Sequence, residues 1–325
     1  MAKICQIGSG MIGQTMALDL AKDHDVFLGD IEIDNVHDKI KNHPSINLLK
    51  VDARDNKQVS SFIINADIVL LAVPGHLGFK ILKTIIECGK DVVDISFSAE
   101  DLMELNENAI KNNVTAIFDS GVAPGIPNYI FGYYNSFEII TSFKYFVGGL
   151  PKYPKAPFNY KAPFSPIDVI EEYTRPARMM INGKLVTKPA LSEIEILNFN
   201  DDIKLEAFNT DGLRSLLQTM SHVNYMSEKT LRFPGHAKLI KEYIKEDILQ
   251  DEETIEYLFN EWKLETDEPE FTILKVKIET DEKTISYELF DEFDQTTKTS
   301  SMARTTGFTA TATINLILEG LFDNK

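Results

Sequence analysis

The chain has few of the residues that build disulfide-stabilised or metal-binding proteins. Its 325 residues include two cysteines, Cys5 and Cys88, whose spacing matches neither a disulfide framework nor a metal site. The six histidines form no HxxxH pair and no cluster with cysteine. We therefore expect two free thiols and no bound metal.

Long apolar runs and an excess of positive charge are also missing. No apolar stretch approaches the ~20 residues that a membrane span requires. Met1 leads almost directly into the first predicted strand, which leaves no room for a signal peptide. The net charge of −17 argues against nucleic acid and anionic membrane as partners. We expect a cytoplasmic protein with an acidic, solvated surface.

The first 30 residues have the pattern of a dinucleotide-binding unit. An apolar strand over residues 4–7 leads into GSGMIG at residues 8–13 and then into a helix. Gly8 permits the tight turn, Gly10 lets a pyrophosphate approach the backbone, and Gly13 allows the helix to pack closely on the strand. Met11 and Ile12 begin the helix, whose N–H groups and positive dipole end would face the phosphates.

An acid follows this unit at the position that selects the cofactor. A second predicted strand over residues 26–28 ends near Asp30, 22 residues after Gly8. A carboxylate there accepts hydrogen bonds from the adenosine ribose hydroxyls and disfavours a 2′-phosphate. The sequence therefore predicts NAD as cofactor in preference to NADP.

Strands and helices continue to alternate up to residue 121, which predicts a doubly wound parallel sheet of the Rossmann type. Four more strands are expected over residues 46–51, 68–73, 91–95 and 115–118, with helices over 56–64, 78–88 and 99–112. Ligands of such sheets bind beyond the carboxyl ends of the strands. The residues there that we expect to contact the cofactor are Asp52, Ala53, Val73, Pro74, Gly75 and Ser96. Asp52 would meet the adenine amino group or, alternatively, cap a turn or helix.

The pattern changes at the Pro- and Gly-rich segment GVAPGIPN, residues 121–128. The part that follows predicts an α+β domain with an antiparallel or mixed sheet. Its expected strands cover residues 138–148, 184–188, 194–199, 204–209, 224–232, 271–278 and 284–290, and its helices 166–173, 212–220, 236–245 and 251–263. A last helical run, residues 300–321, has an apolar stripe that should pack on the nucleotide domain. We thus predict a NAD-binding Rossmann domain of residues 1–121 and 300–325, and a substrate and oligomerisation domain of residues 122–299.

Seven motifs, in order along most of the chain, resemble one family. They are GSGMIG (8–13), GVAPGIPN (121–128), VGGLP (147–151), FSPIDVIEEYTRPARMMINGK (164–184), LEAFNTDGL (205–213), EKTLRFPGH (228–236) and SMARTTGFTATA (301–312). Together they resemble the saccharopine dehydrogenase-like superfamily, and within it most closely the lysine 6-dehydrogenases. This resemblance implies a Rossmann domain, a mixed-sheet catalytic domain and NAD(P)-dependent chemistry at a C–N bond.

One departure from the family pattern bears on the substrate. Where glutamate-forming members carry Arg-Asp-Ser, this chain has Thr210-Asp211-Gly212. The missing arginine would bind a second substrate carboxylate, so its absence favours a substrate with one carboxylate, such as free lysine. This implication comes from the resemblance and not from the residues alone.

Oxidation of an amine carbon to an imine requires a neutral amine, and hence a base or a desolvating pocket. Asp94 and Asp119 follow the fifth and sixth predicted strands, where the nicotinamide would end, and are candidate bases. As an alternative, both acids cap the turns that follow them. His236, from the second domain, is the third candidate.

Four residues are candidates for contacts with the substrate. Arg232 would clamp a carboxylate, or alternatively pair with an acid such as Glu228. Asp211 and Glu172 would hold an ammonium group, or else serve as acids at helix ends. Thr306, near the start of the last helix, would close the pocket or belong to a capping run.

Together with these assignments, the resemblance to lysine 6-dehydrogenases implies NAD-dependent oxidative deamination of L-lysine at its 6-amino group, giving 2-aminoadipate 6-semialdehyde, ammonia and NADH. The semialdehyde would cyclise to piperideine-6-carboxylate. The alternatives are a saccharopine dehydrogenase, a carboxynorspermidine-type reductase, and a non-catalytic NAD-binding sensor or scaffold. We expect a small amino-acid substrate as partner and a homo-oligomer, preferably a dimer that uses the sheet of the second domain.

Overall fold

The computed structural model describes residues 1–199, 203–265 and 267–322. The chain forms two compact units, the first made of residues 1–126 and 303–325 and the second of residues 127–302. Our predicted boundaries, 121/122 and 299/300, fall within a few residues of these junctions.

The first unit is built on a parallel sheet of six strands. In the order β3-β2-β1-β4-β5-β6, every neighbouring pair is parallel. This strand order is that of the doubly wound dinucleotide-binding fold, so the predicted fold class is confirmed. The strands are β1 (Lys3–Ile7), β2 (Asp25–Asp30), β3 (Ile46–Lys50), β4 (Ile68–Leu71), β5 (Val92–Asp94) and β6 (Ala116–Ile117).

Helices cover both faces of this sheet. They are α1 (Met11–Leu20), α2 (Asp38–Lys41), α3 (Asn56–Ile63), α4 (Gly75–Glu87) and α5 (Asn106–Asn112), with short 3₁₀ turns at Ile33–Asn35 and Leu102–Leu105. On one face, Met16 and Leu20 of α1 pack with Ile4, and on the other, Ile81 and Ile85 of α4 pack in a second apolar cluster. Burial on both faces explains why the central strands read as apolar runs.

The last helix, α11 (Ser301–Leu318), packs against the first unit for most of its length. Its Ala310 and Ile314 belong to the apolar cluster of Met16 and Leu20. The Thr311 hydroxyl of α11 donates to Asp19 of α1 at 2.6 Å, which links the two helices.

The second unit contains a mixed sheet. Its main path runs β10-β11-β12-β7-β13-β14, and β8 joins both β12 and β9. Strands β7 and β12 are parallel, whereas the other pairs are antiparallel. The strands are β7 (Ile140–Pro151), β8 (Ala177–Ile181), β9 (Lys184–Lys188), β10 (Glu195–Phe199), β11 (Ile203–Asn209), β12 (Tyr225–Arg232), β13 (Glu270–Thr280) and β14 (Thr284–Glu292).

The helices of the second unit are α6 (Ile126–Asn135), α7 (Pro166–Thr174), α8 (Leu216–Thr219), α9 (His236–Lys245) and α10 (Glu252–Trp262), with a 3₁₀ turn at Ile248–Gln250. Of these, α7, α9 and α10 pack around an aromatic core. Tyr173 of α7, Ile240 of α9 and Trp262 of α10 are all buried in one cluster with Phe158 and Phe208. This core positions the polar residues of α7 and β12 that are described below.

Two of the differences between the structure and the sequence prediction have a clear local cause. The helix expected over residues 212–220 shrinks to Leu216–Thr219, because Gly212 packs on Glu228 and Arg214 has a φ of +48°. Strand β8 was missed. It forms a hairpin with β9 through Asn182 and Gly183, which both have positive φ, and Asn-Gly is the signal that identifies such a turn.

No helix within the described ranges is both long and apolar enough to cross a bilayer.

Candidate functional site

The turn between β1 and α1 uses its three glycines differently. A Cβ on Gly8 would lie 2.0 Å from the Ala72 carbonyl oxygen, and a Cβ on Gly13 would lie 2.4 Å from the Gly8 carbonyl oxygen. These two glycines are therefore required by the protein itself. At Gly10, by contrast, a Cβ would meet no heavy atom within 4 Å. The space at Gly10 fits a pyrophosphate that approaches the backbone, as a bound dinucleotide requires.

Two glutamines brace this turn. Gln6, buried within β1, donates from Nε2 to the carbonyl oxygens of Gly8 and Gly13 at 2.9 and 2.6 Å. Gln14 of α1 donates from Nε2 to the Ser9 carbonyl oxygen at 2.9 Å. The sequence reasoning missed Gln6, although a polar residue inside the otherwise apolar strand KICQI is a signal of such a role.

The N-terminus of α1 is suited to an anion. Within residues 1–199, no side chain caps this helix at Gly10, and its first turn contains no acid. Met11 is partly exposed and Ile12 half-buried at the same place. Backbone N–H groups at such a terminus attract phosphate.

Asp30 at the end of β2 is tied to the glycine-rich turn. Its Oδ2 accepts a hydrogen bond from the Ser9 N–H at 2.6 Å, and its Oδ1 accepts one from the Glu32 N–H at 2.9 Å. A carboxylate has about four acceptor positions, so Asp30 keeps capacity for ribose hydroxyls. Glu32 and Asp34 follow in the sequence, which makes this end of the strand acidic.

The other predicted cofactor residues lie at the carboxyl ends of β3 and β4. Asp52 forms a bidentate ion pair with Arg54, at 2.8 and 2.7 Å, and this pairing lowers its pKa to about 2. The structure thus favours the alternative of a turn acid over contact with adenine. Ala53 and Val73 pack on the apolar cluster of α3 and α4.

Helix α4 starts directly after β4. Pro74 precedes its first residue, and the Gly75 carbonyl oxygen accepts a hydrogen bond from the Ser98 hydroxyl at 3.1 Å. A Cβ on Gly78 would lie 2.1 Å from the Ser96 Oγ, so the serines after β5 pack tightly against α4. Ser96 is buried here and holds Asp94.

Two buried acids stand at the carboxyl ends of β5 and β6. Asp94 accepts hydrogen bonds from the Ser96 N–H at 2.7 Å and the Ser96 hydroxyl at 2.9 Å. Burial is the main cause that raises the pKa of Asp94 to about 7. The hydrogen bonds from Ser96 oppose the rise, and the charge of Asp119 adds to it. Asp119 is buried as well and has a φ of +54°. The capping alternative holds for Asp94, and a carboxyl with this pKa is also suited to proton transfer near neutral pH.

In the second unit, Arg232 does not offer an open clamp. Its Nε donates to the Tyr173 hydroxyl at 2.7 Å and its Nη1 to the Leu231 carbonyl oxygen at 2.9 Å, while Nη2 lies 3.1 Å from Glu172 Oε2. The guanidinium also stacks on Tyr160, 4.4 Å from the ring centre. This corrects two predictions. Arg232 pairs with an acid inside the unit, and that acid is Glu172, which is consequently not an ammonium site.

His236 is also a buried structural residue. Its Nδ1 lies 2.9 Å from the Phe158 carbonyl oxygen and must donate, so Nε2 accepts from the Tyr173 hydroxyl at 2.9 Å. Burial, followed by the charge of Arg232, lowers the pKa of His236 to about 3. Both nitrogens are occupied and the ring stays neutral, which argues against the predicted role as base.

Asp211 binds guanidinium groups. Its Oδ1 and Oδ2 accept from Nε and Nη2 of Arg178 at 2.9 and 2.8 Å, and Arg214 Nη1 lies 3.4 Å from Oδ2. The predicted contact with a substrate ammonium is thus replaced by an internal ion pair. The Arg178 side chain is 39% exposed, unlike that of Arg232 at 3%. Exposure depends on tertiary packing, so the sequence alone does not distinguish the two arginines.

Thr306 lies in the first unit, one and a half turns into α11. Its Cγ2 would be 3.2 Å from a Cβ on Gly121. The capping alternative does not apply, because Glu270 caps this helix by accepting hydrogen bonds from the N–H and the hydroxyl of Ser301.

Within the described part of the chain, no three His, Cys, Asp or Glu residues are grouped so that they could hold a metal ion.

A doubly wound sheet with this glycine-rich turn, followed by a mixed-sheet domain, is the architecture of two-domain proteins with a Rossmann-type dinucleotide-binding unit. The family model of the saccharopine dehydrogenase NADP binding domain matches residues 4–117, and that of the saccharopine dehydrogenase C-terminal domain matches residues 121–325. The chain belongs to the saccharopine dehydrogenase family.

Individual relatives are distant. The mitochondrial alpha-aminoadipic semialdehyde synthase of Mus musculus is 22% identical over 271 residues, which cover 77% of this chain and 29% of the mouse protein. The chain thus spans less than a third of that relative. The saccharopine dehydrogenase [NADP(+), L-glutamate-forming] of Schizosaccharomyces pombe is 25% identical over 57% of this chain and 43% of its own.

A solved structure has the same fold. The apo saccharopine dehydrogenase (L-Glu forming) of Saccharomyces cerevisiae matches with a TM-score of 0.77 and 19% identity, over 100% of this chain and 93% of its own.

The glycines of the β1–α1 turn allow a matched test. In Gly10→Ala, the added methyl group fills the open space, so we expect an affinity for NADH at least tenfold lower and an unchanged thermal unfolding midpoint. In Gly13→Ala, overlap with the Gly8 carbonyl should lower the unfolding midpoint. Fluorescence titration with NADH and thermal denaturation measure the two effects. Undiminished NADH affinity in Gly10→Ala would exclude the pyrophosphate from this space.

Proposed function

We propose that the chain is a NAD-dependent dehydrogenase that deaminates L-lysine oxidatively at its 6-amino group. The products are 2-aminoadipate 6-semialdehyde, ammonia and NADH. The observation that carries the proposal is the open space at Gly10 beside Asp30, in a chain of the saccharopine dehydrogenase family. Family membership supports an amino-acid substrate, and the choice of lysine is the further step that we propose.

Asp30 supports NAD as the cofactor. Its carboxylate is held beside the turn by Ser9, and Glu32 and Asp34 add negative charge to the region where a 2′-phosphate would lie. Like charges close to each other repel, so this end of β2 disfavours NADP. The family model and the fungal relatives carry NADP in their names, so NAD would set this chain apart from those relatives.

Thr210 supports a substrate with a single carboxylate. At the position where glutamate-forming relatives are expected to carry arginine, the Thr210 hydroxyl lies 2.7 Å from Glu228 Oε2. A second guanidinium is thus replaced by a short, internally bonded side chain. We propose that Arg178, which Asp211 orients through two hydrogen bonds, binds the one carboxylate of lysine.

The Asp94 and Asp119 pair would supply the base. The substrate ammonium must lose a proton before the C–H bond breaks, and a carboxyl with a pKa near 7 accepts that proton at neutral pH. Bound NAD supplies the hydride acceptor. Hydride loss leaves an iminium ion, and water adds to its carbon. Once the first proton has passed to solvent, the carboxyl pair takes up one proton of that water, the other goes to the nitrogen, and ammonia leaves.

Activity with L-lysine tests the proposed function directly. Purified protein with NAD and L-lysine should generate NADH absorbance together with an aldehyde that reacts with o-aminobenzaldehyde. If lysine is inert while NADPH is oxidised with 2-aminoadipate semialdehyde plus glutamate, the chain forms saccharopine. That second function is favoured by the names of the relatives.

Cofactor choice depends on Asp30. We expect Asp30→Ala to raise the Michaelis constant for NAD at least tenfold while the constant for NADP falls or stays the same, because negative charge beside the ribose is lost. Steady-state kinetics with both cofactors measures this. As control, Asp34→Ala should change the NAD constant little. A wild-type preference for NADP would refute the assignment.

Substitution of Arg178 should weaken substrate binding, whereas substitution of Arg232 should lower stability. Arg178→Met should raise the Michaelis constant for lysine by about 10- to 100-fold, the loss of a charge-assisted hydrogen bond. Arg232→Met leaves the half-buried Glu172 without its cation and should lower the free energy of unfolding by about 3–5 kcal/mol. Steady-state kinetics measures the Michaelis constant of both variants, and urea denaturation measures their free energy of unfolding. An unaltered lysine constant in Arg178→Met would remove Arg178 from the substrate site.

The rate should depend on pH through the acid pair. As pH rises through about 7, Asp94 loses its proton and becomes able to accept one, so kcat should increase between pH 6 and 8. Asp94→Asn and Asp119→Asn should each lower kcat by about 10²–10⁴-fold, and Asp94→Asn should flatten the profile. If Asp94→Asn retains the wild-type profile, the base lies elsewhere.

A further inference from the structure

A chain of four hydrogen-bonding side chains runs through the second unit. The Thr230 hydroxyl bonds Glu172 Oε1, the hydroxyls of Thr230 and Thr210 lie 2.8 Å apart, and the Thr210 hydroxyl lies 2.7 Å from Glu228 Oε2. Glu172 comes from α7, Thr230 and Glu228 from β12, and Thr210 follows β11. Thr210, Thr230 and Glu228 are each 3% exposed, so water does not take over these contacts.

The three contacts between these side chains need one hydrogen more than the two threonine hydroxyls provide. Three oxygen–oxygen contacts require three hydrogens between them. Each threonine hydroxyl has one hydrogen to donate, which makes two. If both carboxyls were ionised, one contact would bring two oxygens together with no hydrogen between them. The third hydrogen must therefore be carried by Glu172 or by Glu228.

The surroundings place this proton on Glu228 at neutral pH. Glu172 Oε2 accepts from the Arg232 guanidinium at 3.1 Å, which stabilises the ionised form of Glu172. The other contact of Glu228 is the neutral N–H of Gly212 at 3.0 Å. Burial is the main cause that raises the pKa of Glu228 to about 8, and the charges of Glu172 and Asp211 add to the rise. The contacts with Thr210 and Gly212 oppose it.

The titratable groups around Glu228 in the described residues include Glu172 on α7, Asp211 after β11 and Tyr145, which pairs with Glu228 from β7. Glu172 and Asp211 are in turn paired with Arg232 on β12 and Arg178 on β8.

We propose that Glu172 and Glu228 share one proton through the hydroxyls of Thr210 and Thr230, and that this proton positions the loop Thr210-Asp211-Gly212. With the proton on Glu228, its O–H donates to Thr210, Thr210 donates to Thr230, and Thr230 donates to Glu172. Reversal of the three hydrogen bonds moves the proton to Glu172 without displacing a heavy atom. Loss of the proton leaves two carboxylates and breaks the link between the threonines.

The loop Thr210-Asp211-Gly212 links the shared proton to Arg178. Gly212 donates its N–H to Glu228 and accepts from the Tyr145 hydroxyl at 2.6 Å, and a Cβ on Gly212 would lie 2.6 Å from the Glu228 carboxyl carbon. Asp211, between these anchors, binds Arg178. Glu228 is thus a positioning residue for Arg178, which deprotonation would disturb.

Infrared titration of the full chain without substrate tests the proposal independently of any enzymatic activity. Wild-type protein should show the C=O stretch of a protonated carboxyl at pH 7, and the part of this band that is missing in Glu228→Gln should titrate near pH 8. The difference between the two proteins removes the contribution of Asp94, whose pKa is also raised. Wild-type protein without such a difference band would overturn the proposal.

Thr230→Val separates a shared proton from simple burial. This variant removes two of the three contacts, so the remaining hydroxyl of Thr210 satisfies Glu228 and no third hydrogen is needed. The pKa of Glu228 should then fall by at least one unit, on the order of a tenfold weaker proton affinity. Thr230→Ser, which keeps the hydroxyl, should titrate like wild type. If the band titrates unchanged in Thr230→Val, burial alone keeps the proton on Glu228, and Glu172 and Glu228 do not share it through the threonines.

The stability of the fold gives a second readout that does not depend on the band. The pKa of Glu228 is raised above its unfolded value, so its protonation stabilises the fold fully below about pH 4.5, and this contribution is lost as pH rises through about 8. Between these limits one proton is released on unfolding, and the unfolding constant should rise about tenfold per pH unit from this group. Urea denaturation should show a shallower dependence in Glu228→Gln, and an identical one would count against the proposal.

Discussion

The first unit depends on one close approach between backbones. The turn after β1 passes so near the end of β4 that Gly8 has no room for a side chain beside the Ala72 carbonyl. The start of α1 is drawn in by the same geometry, with Gly13 against the Gly8 carbonyl and Gln6 bonded to both. Because the protein itself uses Gly8 and Gly13 in this way, the open space at Gly10 stands out as room for a ligand.

The second unit is organised by the pairing of buried charges. Arg232 is neutralised by Glu172, and Asp211 by Arg178 and Arg214. Ionised groups are costly to bury without partners, so these residues must satisfy one another before they serve a ligand. Among the residues that the structure describes, Glu228 has no cation within hydrogen-bonding distance, and the proton count of its threonine contacts agrees with its raised pKa.

Charge pairing also explains which sequence assignments changed. Arg232, His236, Asp211 and Glu172 were selected because their residue types suit an amino-acid substrate, and all four bind other residues of the unit instead. Exposure is what distinguishes Arg178 from Arg232, since both carry the same guanidinium and both pair with an acid. Residue type alone does not reveal whether a polar group faces a ligand or the core.

The sequence by itself determined the doubly wound sheet, the glycine-rich turn, the acid at Asp30 and the family. Each of these depends on spacing over a few tens of residues, which local geometry translates directly into structure. Tertiary structure alone decided the parallel pairing of β7 with β12, the ion pairs of Glu172 with Arg232 and of Asp211 with Arg178, and the threonine hydroxyls that link Glu172 to Glu228. These features join residues far apart in the sequence, such as Ser142 of β7 and Tyr225 of β12, which pair across 83 positions, and no short pattern encodes such contacts.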